Sequence, residues 1–151
     1  MAGFNPPQLR SHCPISFSLD CFGDRWSLLI LRDVLIEGRN DFRQMKSAGE
    51  GVASNVLTDR LARLEAMGLV ERHVHPEDKR VTQYLPTDRA LGLIPMLVEM
   101  AYWGGMNDDN TTAPTSFIVA YEEDRDALCA GLKMAALGRR TVLRHKLRLS
   151  D

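Results

Sequence analysis

Apolar residues recur at helical spacing along the first half of the chain, and they predict four helices before residue 68. The first helix begins at Pro14, whose missing N–H suits the first turn of a helix. The second covers Arg25–Glu37 and is too apolar for a surface helix, so we expect it at the centre of the core. A short third helix follows Asp41, and a fourth covers Ser54–Met67 with leucines along one side.

After the fourth helix the apolar period changes to two residues, which predicts a β-hairpin. Residues 69–75 form the first strand, residues 76–80 a charged tip, and the chain returns as a second strand up to Leu85. A long helix is then expected from Thr87 to about Trp103, with a kink at Pro95. Helices followed by a two-stranded wing form a winged helix-turn-helix, so the predicted class is α+β, mainly α.

The remaining chain predicts additions on either side of that domain. Residues 1–13 are expected to form an N-terminal arm, and residues 14–104 the winged helix-turn-helix domain. Residues 105–151 are expected to form a C-terminal helical extension that begins with a polar linker. Within this extension, Phe117–Tyr121 is also compatible with a short strand.

The composition excludes several classes of protein. Hydrophobic residues make up 44% and charged residues 26% of the 151 residues, which is ordinary for a single globular domain. No run of apolar residues is long enough for a membrane span. The three cysteines match neither a zinc site nor a disulfide framework, so we expect a cytoplasmic protein with reduced thiols and no metal. Phosphate-binding loops and nucleophile motifs are absent from the sequence, which predicts neither an enzyme nor a cofactor.

The fourth predicted helix carries a polar face that suits nucleic acid. At about 100° per residue its leucines share the side that should face the core. Asn55 and Asp59 are directed away from that side. Ser54 and Thr58 lie on one flank of the helix, and Arg63 lies on the other flank. Such groups can bind phosphates and base edges, and Asp59 could accept from a cytosine amine or orient an arginine. An ordinary solvated helix face is the alternative.

Basic residues also lie where a wing and a positioning helix would meet a DNA backbone. Lys79 and Arg80 occupy the hairpin tip, and wing tips commonly contact the backbone or the minor groove. Arg43, with Arg39 and Lys46, flanks the short third helix and could anchor phosphates. The net charge of the chain is only −1, so binding to DNA would depend on such local positive surface.

Four stretches of the sequence, taken in order, carry a family resemblance. They are residues 13–32 with Phe22–Gly23–Asp24–Arg25–Trp26, residues 41–45, residues 56–70, and residues 84–87 ahead of Trp103–Gly104. In this combination the chain resembles the HxlR-type winged-helix regulators, which are relatives of the MarR-type fold. The resemblance implies a homodimer with the terminal helices at its interface, a Ser54–Met67 helix in the major groove, and no enzyme activity. It says little about residues beyond 104.

The apolar pattern separately favours a homodimer. The stretch Leu91–Tyr102, together with Ile15, Phe17 and Leu19, holds more apolar residues than one core-facing side requires. A twofold dimer presents two recognition helices, which enter successive major grooves when the half-sites lie about 10 bp apart. We therefore expect a homodimeric transcriptional regulator that binds duplex DNA at an inverted-repeat operator.

Two other functions stay open from the sequence. Cys13 precedes the first helix, and a thiol at a helix N-terminus is favoured to ionise and to react with oxidants. Cys13 is therefore a candidate redox sensor in a protein that responds to an oxidant or a small-molecule effector. A winged-helix module that binds protein and not DNA is the second alternative. Cys21 and Cys129 are expected to pack in the interior.

A histidine pair and a basic run are expected to be ordinary surface groups without a function of their own. His73 and His75 share one face of a strand, but no third metal ligand is evident, so we expect surface histidines. The basic run from Arg139 to Arg148 is expected to face solvent, with the flanks of DNA or an acidic surface such as Asp108–Asp109 as alternatives.

Overall fold

The first four predicted helices form close to their expected positions in the computed structural model, which describes residues 11–149. Their bounds are α1 Pro14–Phe22, α2 Arg25–Arg32, α3 Phe42–Lys46 and α4 Ser54–Ala66. Asp24 caps α2 by accepting the N–H of Ser27 at 3.0 Å. Asp41 and Gln44 form a reciprocal capping box at α3. The arm predicted for residues 1–13 lies mostly outside the described residues.

The second predicted helix has its expected extent but changes its winding. After Arg32 the chain continues as a π-helical segment, Asp33–Glu37, which Gly38 closes with a φ of 70°. The carboxylate of Asp33 is buried at this point, and guanidinium nitrogens of Arg32 and Arg39 each lie 2.8 Å from its Oδ1. Two arginines therefore compensate the charge that the segment buries.

The core lies between the helices and the inner side of the hairpin. Its largest fully buried apolar side chains are Leu31, Val34, Leu35, Leu57, Leu61, Leu64, Val70, Leu85, Ile94 and Val98. The leucines of α4 face this core, as their spacing predicts. Their burial leaves the opposite side of α4 to the solvent.

The predicted hairpin forms as a two-stranded antiparallel sheet. Strand β1 covers Val70–Val74 and strand β2 covers Thr82–Pro86, with Val70 opposite Pro86 and Val74 opposite Thr82. A single bridge between Asp41 and Gln83 joins the sheet to the start of α3. The hairpin is thus joined to the start of α3 through β2, one residue from the end of that strand that leads to the charged tip.

The prediction of one kinked helix from Thr87 to Trp103 is wrong. The chain forms two helices, α5 Asp88–Leu91 and α6 Ile94–Asn107, and Pro95 lies in the first turn of α6. A proline is tolerated there because the first N–H groups of a helix have no partner within it. The expected end at about Trp103 is also too early, because α6 runs through Gly104 and Gly105 to Asn107. A Cβ on Gly105 would lie 3.0 Å from Cδ1 of Ile118, so this glycine permits close packing of the next helix.

The C-terminal extension is one long helical element, α7 Thr115–Lys146, with a kink at Asp124. Asp124 adopts an extended conformation, and its carboxylate caps the second half by accepting the N–H of Ala127 at 2.9 Å. The strand alternative for Phe117–Tyr121 is wrong. Phe117 and Tyr121 are one helical turn apart, and the ring of Tyr121 stacks on Tyr102 of α6 with centroids 3.8 Å apart. Packing against α6 thus decides for helix over strand.

Beyond the kink, α7 returns across the winged domain. Ala136 is fully buried, and Nη2 of Arg139 donates to the carbonyl of Leu35 at 2.7 Å. Leu147, just past the helix, is also buried. The last turns of α7 therefore lie against the π-helical segment and the hairpin.

Candidate nucleic-acid interface

α4 presents a short polar face to solvent. Ser54, Asn55, Thr58 and Asp59 are all exposed, whereas the leucines of α4 are buried. The hydroxyl of Thr58 donates to the carbonyl of Ser54 at 2.9 Å, which leaves its oxygen able to accept a further hydrogen bond. The face thus offers several hydrogen-bonding groups and only one charge, the carboxylate of Asp59.

A network behind this face, which the sequence did not predict, fixes α4 to α2. Nε of Arg60 donates to Oδ1 of Asp24 at 2.9 Å, and the same guanidinium binds Asp59. Asp24 also accepts the hydroxyl of Ser27 at 2.5 Å. Burial opposes ionisation of Asp24, but hydrogen bonds from Ser27 and Arg60 outweigh it and lower the pKa of this carboxyl. Asp59 is therefore held by an arginine, which is one of the two roles expected for it.

Arg63 does not share the exposed face. Its guanidinium is half-buried and donates to the backbone carbonyl of Asp20 near the end of α1. The helical spacing correctly placed Arg63 on one flank of α4, but α1 covers that flank. Arg63 therefore joins α4 to α1.

The wing tip balances its own charges. Arg80 contacts Asp78 through two nitrogens, Nε at 2.9 Å from Oδ1 and Nη2 at 3.0 Å from Oδ2. This side-chain hydrogen bonding, with one from the Arg80 backbone, lowers the pKa of Asp78. The Arg80 side chain nevertheless remains 90% exposed, and Lys79 beside it is exposed as well. Both cations are accessible to a polyanion at the tip.

The structure brings Arg43 and Arg80 together at one cleft. The cleft has a volume of about 470 Å³ and separates the start of α3 from the wing. Its polar side chains include Asp41 and Asp78 in addition to the two arginines. The other two basic residues near α3 form contacts within the chain: Arg39 binds Asp33, and the ammonium of Lys46 donates to the carbonyl of Val52.

The basic run at the end of α7 does not simply face solvent, as the sequence suggested. Three arginines four residues apart, Arg140, Arg144 and Arg148, contact the hairpin from base to tip, and we call them the arginine ladder. Arg140 binds the carbonyl of Pro86 and the carboxylate of Asp88, and Arg144 lies 3.5 Å from Glu71. Arg148 reaches the tip, where its Nη2 lies 2.9 Å from Oε1 of Glu77.

Comparison with protein families gives one match that covers most of this architecture. The sequence profile of the HxlR-like helix-turn-helix family matches residues 21–112, from the end of α1 to just beyond α6. The chain belongs to this family. The family consists of transcription regulators and not of enzymes, so the HxlR-like protein is a helix-turn-helix transcription regulator.

Relatives of this HxlR-like regulator carry the same description. It is 30% identical over 100 residues to YybR of Bacillus subtilis, an uncharacterized HTH-type transcriptional regulator, covering 66% of this chain and 79% of the relative. It is 35% identical over 88 residues to the regulator sll1512 of Synechocystis, covering 58% of this chain and 64% of the relative.

Two solved structures resemble the HxlR-like regulator in fold. PA1607, a candidate transcription factor, has a TM-score of 0.60 and 32% identity, covering 68% of this chain and 72% of PA1607. The redox regulator HypR in its oxidized form has a TM-score of 0.58 and 27% identity, covering 64% of this chain and 99% of HypR. The winged helix-turn-helix expected from the sequence is confirmed.

The cysteines of the HxlR-like regulator lie in different surroundings. Cys13 is exposed immediately before α1, whereas Cys21 is buried in α1 and lines an apolar cleft of about 260 Å³. Burial raises the pKa of the Cys21 thiol, and it also raises the pKa of Cys129. Only Cys13 of the three is therefore both exposed and at a helix N-terminus.

The two strand histidines have ordinary partners. His73 lies 3.3 Å from Glu71, and the side chain of His75 accepts the N–H of Glu77 at 3.2 Å. Within residues 11–149, no three histidine, cysteine or acidic side chains are arranged to hold a metal ion. None of the helices in this part of the chain is long and apolar enough to cross a membrane.

Proposed function

We propose that this HxlR-like regulator binds an inverted-repeat operator as a homodimer, with α4 in the major groove. The observation that carries the proposal is the polar face of α4. Ser54, Asn55, Thr58 and Asp59 are exposed on one side of a helix whose other side is anchored in the core. Asn55 can read the edge of an adenine, and Asp59, oriented by Arg60, can accept from a cytosine amine.

Backbone contacts would come from three cations around this helix. Arg43 lies on α3, while Lys79 and Arg80 lie at the wing tip, and all three are exposed. Such contacts set the register of a protein on DNA without reading its sequence. Arg63 is left out of this set because the carbonyl of Asp20 engages it. It acts on DNA binding only by positioning α4 against α1.

The homodimer is supported by apolar side chains that lack a partner within the described chain. In α1 only Cys21 is fully buried, while Ile15 is 70% and Leu19 is 59% exposed. In α6 Ile94, Leu97 and Val98 face the core, but Trp103 is 70% exposed and Met100 is 48% exposed. Large apolar side chains that stay exposed together are typical of a protein interface. We assign the dimer contact to these faces of α1 and α6.

The proposal is tested by removing the groove contacts without removing the fold. Asn55→Ala combined with Thr58→Ala should weaken binding to the operator roughly 10- to 100-fold and leave binding to unrelated duplex unchanged. Thr141→Ala is the matched control, because Thr141 is an exposed helical threonine that donates to the carbonyl four residues before it, as Thr58 does. Equal weakening on operator and unrelated DNA, or no weakening on either, would contradict the role of α4.

A second function, redox control of the same DNA binding, is supported by one pair of observations. HypR, a redox regulator, is similar in fold, and Cys13 is exposed at the start of the proposed interface helix α1. α1 also contacts α4 directly through Asp20 and Arg63. A change at Cys13 could thus reach the recognition helix. Cys13→Ser should abolish any oxidant-induced change in operator affinity, and a variant that responds like the parent would exclude this site.

A further inference from the structure

The charges at the wing tip and at the end of α7 belong to one surface. Glu77, Asp78, Lys79 and Arg80 by themselves carry equal numbers of acids and bases. Arg148 lies against Glu77, and both side chains remain largely exposed, at 72% and 71%. Lys146 lines a cleft of about 370 Å³ between α7 and the wing, together with Gln44 of α3. The end of α7 therefore adds two cations to a tip that is otherwise neutral.

The arginine ladder fixes these two cations in place. Arg140 and Arg144 attach the last turns of α7 to the base of the hairpin, so the helix follows the wing to its tip. The helix then ends in a tight turn in which the N–H of Leu149 donates to the carbonyl of Arg144 at 3.0 Å. Arg148 occupies the left-handed position of this turn, with a φ of 56°. Its guanidinium thus projects to the tip from a helix anchored at several points.

We propose that the end of α7 forms part of the DNA-binding surface and holds backbone phosphates beside the wing through Lys146 and Arg148. The inference rests on the proposed function, because it extends the same interface outward from the groove. Duplex DNA is the partner because its phosphates continue past the wing tip wherever Lys79 and Arg80 contact it. Arg148 also neutralises Glu77, a carboxylate that would otherwise repel the backbone at this point. The phosphate contacts and the neutralisation of Glu77 both act on the DNA backbone, so they do not depend on base sequence.

The test compares the salt dependence of binding between variants that keep the fold. Arg148→Gly removes the guanidinium while placing at the left-handed position the residue that best tolerates it. Lys146→Ala removes the second cation. Lys133→Ala is the charge-matched control, because Lys133 is exposed on α7 about 20 Å along the helix from Lys146. Thermal unfolding of each variant checks that α7 and the domain stay folded.

Binding to operator and to unrelated duplex is measured between about 50 and 200 mM salt. Arg148→Gly and Lys146→Ala should weaken both complexes by the same factor. Each should make the slope of log K against log salt shallower by roughly 0.9 for every phosphate that the variant no longer binds, summed over both subunits. Lys133→Ala should leave the slope unchanged. Unchanged slopes in both test variants, with a wild type that binds normally, would overturn this inference alone. A wild type that binds no duplex would overturn the proposed function as well.

The role of Arg148 is separated from simple neutralisation of Glu77 by a double variant. Glu77→Gln with Arg148→Gly removes both members of the pair. If Arg148 binds phosphate itself, the double variant keeps the shallower slope of Arg148→Gly. Full recovery of the wild-type slope would instead show that Arg148 only shields Glu77, and it would overturn the direct contact.

Discussion

Asp24 joins α2 to α4 through one carboxylate. It caps α2, accepts the hydroxyl of Ser27 and holds Arg60 of α4. Because these hydrogen bonds lower the pKa of Asp24, the charged form of this carboxyl is favoured more in the folded state than in the unfolded chain. The stability that this provides is complete above the unfolded pKa of about 3.9 and is lost as the pH falls through the lower folded value.

Asp24→Ala should therefore lower the free energy of unfolding by about 1–3 kcal/mol at pH 7, because the variant has neither the helix cap nor the charged hydrogen bond. The difference from wild type should shrink when the pH falls below about 4. Urea unfolding at a fixed protein concentration measures both values. Asp109→Ala, in the exposed linker before α7, is the control and should have little effect. An equal destabilisation at pH 7 and in acid would contradict the part assigned to the carboxylate charge.

Substitution of two glycines by alanine should change the stability of the protein in opposite directions. Gly38 has a φ of 70°, and a Cβ on it would lie 2.8 Å from Cδ of Arg139. Gly138 lies inside α7, where a Cβ would meet nothing within 4 Å. Gly38→Ala should cost about 1–2 kcal/mol of stability, whereas Gly138→Ala should add up to about 1 kcal/mol through helix propensity. Denaturant midpoints that move in the same direction would show that the two backbone environments are not as described.

Side-chain direction was predictable on α4, but side-chain partners were not. The leucine spacing alone indicates that Asn55 and Thr58 point away from the core, and they do. The same spacing put Arg63 on the flank opposite Thr58 but gave no sign that α1 covers that flank, because a helical wheel describes one helix only. Arg60 was overlooked for a related reason: its partner Asp24 lies 36 residues away in sequence.

At the scale of elements, local signals predicted where most helices begin but not how they pack. Pro14 and Asp41 are local signals, and both helices begin where they indicate. Pro95 was expected to kink a helix, whereas the helix begins there, because its missing N–H is harmless only in a first turn. Phe117–Tyr121 has residues that favour a strand, yet contact with Tyr102 selects helix. That contact is long-range and has no signature in the local pattern.

Where α7 packs against the domain, one of its small residues lies in the core. Ala136 is fully buried, while its neighbour Ala135 is exposed. Ala136→Leu should destabilise the protein by about 1–3 kcal/mol, because the added carbons have no space between α7 and the domain. Ala135→Leu should change stability by less than about 0.5 kcal/mol. Thermal or urea unfolding distinguishes them, and equal effects would mean that α7 does not pack through Ala136.

At the scale of the whole molecule, the apolar faces of α1 and α6 predict the assembly. Leu19→Glu combined with Trp103→Glu should convert a dimer, twice the chain mass of 17.0 kDa, into a monomer. Met134→Glu with Val142→Glu is the matched control, because both residues are comparably exposed on α7, away from the proposed interface. Sedimentation at micromolar concentration measures the mass. A monomeric wild type, or a dimer that dissociates only in the control, would contradict the assignment.

The return of α7 to the wing was the largest feature that sequence did not predict. Charge composition alone left the run Arg139–Arg148 with solvent, DNA and an acidic surface as possible partners. The carbonyl that Arg139 binds belongs to Leu35, 104 residues earlier, and Arg148 binds the wing 71 residues earlier. Contacts between residues so far apart in sequence depend on how the whole chain packs, so no local sequence pattern predicts them.

The most direct test of the central proposal is a hydroxyl-radical footprint of the purified protein on genomic fragments that it selects. A homodimer with one α4 in each of two successive major grooves should protect two blocks related by inverted symmetry, with centres about 10 bp apart. Protection should extend outward from each block on the side of the wing. A single asymmetric block shorter than one helical turn, or no selection of any fragment over random duplex, would contradict a twofold reading of DNA by α4.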